Sequence, residues 1–201
     1  MTDAATWENL ISLLQMLTMA AAGFWLLYRY MAAAAVPAVY FLAGSFFCSA
    51  SADLFFLLYN FLRGDAPQYF SAADIGWIGS YFFLTAALLT IGQQRAGIWP
   101  SAALTAVTVA VNLLLSYLYG HFFTNMLWAA AMVPFAWLVG KGLPRPFYLS
   151  LCCFLLLELD LFLSWGTVYI ILDASVTVSL LFVCYAFRYE IPETSAVSDG
   201  E

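Results

Sequence analysis

The sequence predicts an all-α polytopic membrane protein, a seven-transmembrane-helix bundle. Three observations carry this. The 201 residues are 65% hydrophobic and 9% charged, whereas a soluble domain carries roughly 25% charged residues and about 45–50% apolar ones. That apolar excess exceeds what a core can hide, because a chain of this length leaves roughly 30% of its surface outside. Apolar runs close to the roughly 20 residues needed to cross about 30 Å of hydrocarbon recur seven times, at about 7–28, 37–61, 72–92, 98–119, 121–140, 147–165 and 167–187. Pro, Gly or charged residues punctuate nearly every junction between them.

Taken in order, the first span carries Glu8, Ser12 and Gln15 on one helical face. The second carries Ser45, Ser49, Asp53 and Asn60 at spacings of four, four and seven, and ends at Arg63-Gly64-Asp65-Ala66-Pro67. The third opens with Ser71-Ala72-Ala73-Asp74, presents Asp74, Trp77, Tyr81 and Thr85 along one face, and ends before Gln93-Gln94-Arg95-Ala96-Gly97. The fourth bears a polar seam of Ser101, Thr105, Thr108, Asn112 and Ser116, then breaks for Gly120-His121. The fifth ends before the stretch from Lys141 to Pro146, and the sixth holds Glu158 and Asp160. A tight break at Trp165-Gly166 leads to the seventh, which holds Asp173. Residues at these helical spacings share a face.

Charge and composition exclude several functions. Six Lys and Arg against twelve Asp and Glu give a net charge of −6, so the basic footprint of a nucleic-acid-binding protein is missing. Cys48, Cys152, Cys153 and Cys184 lie in apolar runs without CxxC spacing and read as small buried hydrophobes. One histidine, His121, is too few for a multi-histidine metal site. No metal and no cofactor are expected. Met1-Thr2-Asp3 lacks the basic start of a removable signal peptide.

The positive-inside rule orients the bundle. With alternating spans, Arg29, Arg95, Lys141, Arg145 and Arg188 fall on one side and Arg63 on the other. This predicts a cell-membrane, multi-pass protein with the N-terminus outside and the C-terminus cytoplasmic. Two segments follow: a transmembrane domain over 1–188 and an acidic, disordered cytoplasmic tail over 189–201, too polar and short to fold alone. No output domain is expected after it.

Ionisable groups in hydrocarbon are costly and often mark function. Asp53, Asp74, Glu158, Asp160 and Asp173 lie in or at the mouths of spans, with no Lys, Arg or His deep in any span to neutralise them. They must be protonated, hydrogen-bonded, hydrated or bound to a cation. All five fall in the outer half once orientation is fixed, together with Asn60, Asn112, His121, Asn125 and several Trp and Tyr residues. The expected site is an acidic, aromatic-lined cavity open to the outside, built from Asp53, Asp74, Trp77, Tyr81, Asn112, Glu158, Asp160 and Asp173.

Each feature also has a plain structural reading. Small and hydroxyl residues on one face serve helix packing. Ser71 to Asp74 is a capping box. Tryptophan and tyrosine near span ends form interfacial belts, and His121 reads as an exposed loop histidine. Glu158 and Asp160, two residues apart, point to roughly opposite faces.

Ala52-Asp53-Leu54-Phe55-Phe56 on span two echoes Leu159-Asp160-Leu161-Phe162-Leu163 on span six, and each precedes an Asp near the outer end of the next span. That pattern fits a 3+1+3 parallel repeat with span four as the linker. The segment from Ser51 to Thr85, with Ser-Ala-Asp53-Leu-Phe-Phe-Leu-Leu-Tyr59, Pro67-Gln-Tyr69 and Ala-Asp74-Ile-Gly-Trp77-Ile-Gly-Ser-Tyr81, resembles the multi-span N-terminal sensory regions of bacterial signalling proteins. It is also similar to uncharacterised, stand-alone seven-span bacterial membrane proteins. The resemblance covers roughly 40–90 and implies a membrane sensor or ligand-binding role. Retinal proteins fit worse, since they need a lysine in the last span and the one lysine here is Lys141.

The function expected is that of a non-enzymatic sensor or ligand-binding protein holding a small cationic or amphipathic molecule. The alternatives are a small cation- or proton-coupled transporter and an intramembrane lipid hydrolase using paired aspartates. Expected partners are the lipid bilayer, that small ligand and a protein partner for signal output.

Overall fold

The computed structural model describes residues 3–30, 37–64, 67, 70–92, 97–143 and 145–190. Among the described residues seven α-helices form: α1 (Asp3–Tyr30), α2 (Pro37–Arg63), α3 (Ala72–Ile91), α4 (Ile98–Tyr119), α5 (Phe122–Gly142), α6 (Pro146–Leu161) and α7 (Gly166–Phe187). Among the described residues no strand is present. Six of the helices are long and apolar enough to cross a membrane. This is the all-α polytopic bundle expected from the sequence. Arg95, the side chain of Glu8 and the tail 191–201 lie outside the described residues.

The sixth element departs from its predicted limits. Its apolar run continues to 165, yet α6 stops at Leu161 after 16 residues, about 24 Å of rise against roughly 30 Å of hydrocarbon. The backbone tightens there: the Phe162 N–H donates to the Glu158 carbonyl at 3.2 Å, Leu163 to Asp160 at 3.0 Å and Ser164 to Leu161 at 3.1 Å. The last two span three residues instead of four, the tighter bonding that closes a helix end. At the α4–α5 junction the two-residue turn depends on Gly120, which caps α4 at φ 71°, ψ 2° and donates to the Ser116 carbonyl. Glycine occupies that left-handed region without a Cβ penalty.

Six helices close a ring in the order α1, α2, α3, α5, α6, α7, and α7 returns to α1. Helix α4 stands outside it, packed chiefly on α5, which is where a linker between two three-helix units would lie. The two triples do not pack alike, because α5 and α6 touch lightly while α1, α2 and α3 pack closely in succession. In lipid, helices associate through close packing and small residues, since lipid tails are as apolar as leucine. Gly44, Cys48 and Ala52 repeat every fourth residue on α2 and meet Phe83, Gly79 and Gly76 of α3. A Cβ at Gly76 would stand 2.8 Å from the Ala52 Cβ, so glycine there sets how near α3 can come.

Two aromatic layers lock the ring. Tyr81 packs edge-on to Phe135 and Trp128 and tilted against Phe154. At one end of the bundle Phe187 contacts Tyr30 and Phe147, and Arg145 pairs with Glu190. Arg29, Lys141, Arg145 and Arg188 flank this same end, on the last turns of α1 and α5 and at the caps of α6 and α7. Arg63 closes α2 at the other end.

Candidate functional site

The end of the bundle opposite the basic cluster holds a cavity of about 460 Å³, within the roughly 300–1,000 Å³ range of small-molecule sites. All seven helices contribute to its wall. Asp53 comes from α2, Asp74 and Trp77 from α3, Asn112 from α4, Glu158 from α6 and Asp173 from α7. Six of the eight sequence-selected residues therefore share one wall.

Each carboxylate arrives by a different local route. Asp53 lies buried on α2, one turn beyond Ser49, and accepts a hydrogen bond from Trp77 Nε1 at 3.1 Å. This α2–α3 bond uses the close approach that Gly76 permits. On α7, Asp173 is tied to α1 through Gln15, whose Nε2 donates to the Asp173 Oδ1 at 2.8 Å and to its backbone carbonyl at 2.9 Å. Asp74 opens α3 and accepts from the Ser71 N–H at 2.8 Å and the Ser71 hydroxyl at 2.9 Å, so the capping reading holds. It lines the cavity as well. Glu158 accepts no side-chain hydrogen bond among the described residues. No lysine or arginine lines the cavity among the described residues. His121 is exposed at its edge.

Two expected residues lie elsewhere. Tyr81 is 1% exposed and sits one layer behind the wall: its ring packs on Trp128, and Trp128 lines the cavity in its place. Asp160 is exposed on the outer face of α6, because two residues along a helix turn a side chain about 200° from Glu158. The α4 seam divides likewise. Asn112 reaches the cavity, while Ser101 is packed against Gly140 of α5. The upper part of the seam is site and the lower part is packing.

Sequence reasoning did not select the apolar wall. Phe56, Trp128 and Phe162 line the cavity, with Trp128 edge-on to Phe162 at 5.0 Å between ring centroids and Phe56 beside Trp77 at 6.2 Å. Thr124, next to the flagged Asn125 at the start of α5, lines it too. On α5 the available signal was this Thr124-Asn125 pair four residues before Trp128, placing a tryptophan on the same face as a polar group.

The arrangement suits charge binding: four carboxyl groups from four helices, Asp74 among them already held by its own helix start, with aromatic faces beside them and no lysine or arginine in the wall among the described residues. Among the described residues no group of histidine, cysteine and carboxylate side chains could hold a metal ion. No family model, curated protein or solved structure matches the chain.

Proposed function

We propose that this membrane protein is a sensor or ligand-binding protein whose cavity takes a small cationic or amphipathic molecule. The observation that carries the reading is the convergence of Asp53, Glu158 and Asp173 on one cavity, with no lysine or arginine in its wall among the described residues. Gathering negative charge in a low-dielectric site is costly, and a bound cation offsets that cost. Trp77, Trp128 and Phe56 supply ring faces, and a cation within about 6 Å of such a face is attracted by its quadrupole. The cavity volume fits one small organic molecule.

The basic end of the bundle faces the cytoplasm in this reading, by the positive-inside rule, so the cavity opens to the outside of a cell membrane. Single cysteines at Asn125 and at Lys141 test that orientation. In intact cells an impermeant maleimide should label the first and spare the second, and the reverse pattern would invert the topology.

The binding reading is tested with purified protein in detergent. Small organic ammonium ions should raise its Tm, and Asp53→Asn combined with Glu158→Gln should remove the shift. A double variant that responds like wild type overturns the proposal. A sensor passes nothing across the bilayer, so ligand flux in proteoliposomes dependent on Asp53 would replace the sensor role with transport.

A further inference from the structure

The cavity has two unlike sides. Asp53, Glu158 and Asp173 bring carboxyl groups to it from α2, α6 and α7, while α5 brings hydrogen-bond donors: Thr124, Asn125 and Trp128. Their spacing puts all three on one face of the first turns of α5. Thr124 and Trp128 are each 8% exposed. Among the described residues the Thr124 hydroxyl and the Trp128 Nε1–H have no hydrogen-bond partner, and neither atom is sealed inside the protein. Both therefore keep surface where their residues line the cavity, and a largely buried donor without an acceptor is costly. The backbone adds to the same side. The Asn125 N–H is bonded to the His121 carbonyl at 3.0 Å, but the N–H groups ahead of it begin the helix, with no cap from the His121 side chain and no acidic residue in the first turn. Such a helix start favours an anion. Helix α3 meets that preference with its own Asp74, and α5 has no such group.

We infer that the cavity binds a small zwitterion, an amino acid in the chemical sense. Its ammonium lies among Asp53, Glu158 and Asp173, and its carboxylate accepts from Thr124, Trp128 and the start of α5. This inference rests on the cation-binding role proposed above and adds a second pole to it. A ligand that is only a cation leaves the α5 donors without an acceptor. A ligand that is only an anion meets carboxyl groups from several helices and is repelled. One molecule carrying both charges answers both sides, because the positive end of α5 offsets the repulsion at its carboxylate.

The test compares probes with one four-carbon skeleton: 2-aminobutanoate, 4-aminobutanoate, n-butylammonium and butanoate. Each is titrated against the detergent-purified wild-type chain by tryptophan fluorescence and calorimetry. The two zwitterions hold their charges at different separations and so sample the distance between the poles. At least one of them should bind about tenfold or more tighter than n-butylammonium and than butanoate, the scale of one hydrogen bond to a charged group. Thr124→Val, close in shape and without the hydroxyl, should reduce the advantage over n-butylammonium to about threefold or less. If n-butylammonium binds and neither zwitterion reaches that tenfold advantage, the inference is overturned and the cation-binding role stands. Butanoate binding as tightly as the zwitterions overturns it as well, and failure of all four probes overturns both readings. An advantage unchanged in Thr124→Val would take the ligand carboxylate off α5 and overturn the two-sided assignment. The wild-type series decides the matter even if Thr124→Val does not fold.

Discussion

Gly76→Ala tests how the fold builds the site. The added methyl would lie 2.8 Å from the Ala52 Cβ, 3.0 Å from the Cys48 carbonyl oxygen and 3.2 Å from the Ala52 Cα. These are backbone atoms and a Cβ, with no rotamer to change. Carbon contacts relax at about 3.5–4.0 Å, so α3 must retreat by roughly 1 Å. Overpacking of this kind costs about 1–3 kcal/mol. Trp77 is the next residue, and its 3.1 Å bond to Asp53 would stretch beyond the hydrogen-bonding range of about 3.2 Å, at a further cost of roughly 0.6–1.7 kcal/mol for an interhelical bond in a membrane. At roughly 2–4 °C per kcal/mol for a chain of this size, the Tm should fall by about 3–19 °C, with a mid-range value of about 9 °C. Thermal unfolding followed by tryptophan fluorescence measures it. Gly79→Ala, three residues on, is the control: its methyl meets only the Cys48 Sγ at 3.6 Å, an ordinary contact, so its Tm should stay within about 3 °C of wild type. If Gly76→Ala melts with wild type, or both variants fall equally, the α2–α3 approach does not position Trp77 as argued.

Three other outcomes follow from the same geometry. Glu158→Gln should weaken n-butylammonium binding at least tenfold, whereas Asp160→Asn, on the outer face of α6, should change it less than twofold in calorimetric titration. Gln15→Leu removes the amide that donates to both the Asp173 carboxylate and its backbone carbonyl and should lower stability by about 1–3 kcal/mol, read as a Tm shift. Gly140→Ala places a methyl 2.4 Å from the Ser101 Cα and 2.5 Å from its backbone nitrogen. Forcing α4 off α5 should lower the Tm more than Gly79→Ala does and weaken amine binding by displacing Asn112.

The spans were legible because lipid imposes a single requirement, a long apolar run, and Asp53, Glu158 and Asp173 stood out against it. Helix α6 shows where this signal ends. Hydropathy continues through 162–165, while the chain leaves the helix because its closing turn bonds to Glu158, Asp160 and Leu161, and a composition window does not register such bonding. Tyr81 and Trp128 show a second limit. Both lie on apolar helices, and helical phase alone does not say which aromatic faces the cavity and which lies behind it, because that depends on how α3 and α5 meet. Asp160 was separable from Glu158 by phase, but its side became fixed only when α6 had neighbours. Gly76, one glycine among twelve, had no sequence mark of its role, since its importance is a distance to another helix.

The acids of the site differ in how far the protein has already satisfied them, and this determines where a cation gains most. Asp74 is held by Ser71 at its own helix start, where a carboxylate also complements the positive end of the dipole. Asp53 and Asp173 each accept a donor from a neighbouring helix. Glu158 has neither aid. It lies in the last turn of α6, where the dipole is negative and a carboxylate is disfavoured. The carboxyl least supported by the fold thus faces the cavity from the shortest helix of the bundle. A cation beside it is favoured by the carboxylate, by the helix end at about 0.3–1 kcal/mol, and by the fields of Asp53 and Asp173. Ligand binding should accordingly stabilise the end of α6 more than any other segment lining the cavity, and amide hydrogen exchange across 158–164 should slow on addition of n-butylammonium. Protection confined to α2 and α3 would place the cation beside Asp53 and Trp77 instead.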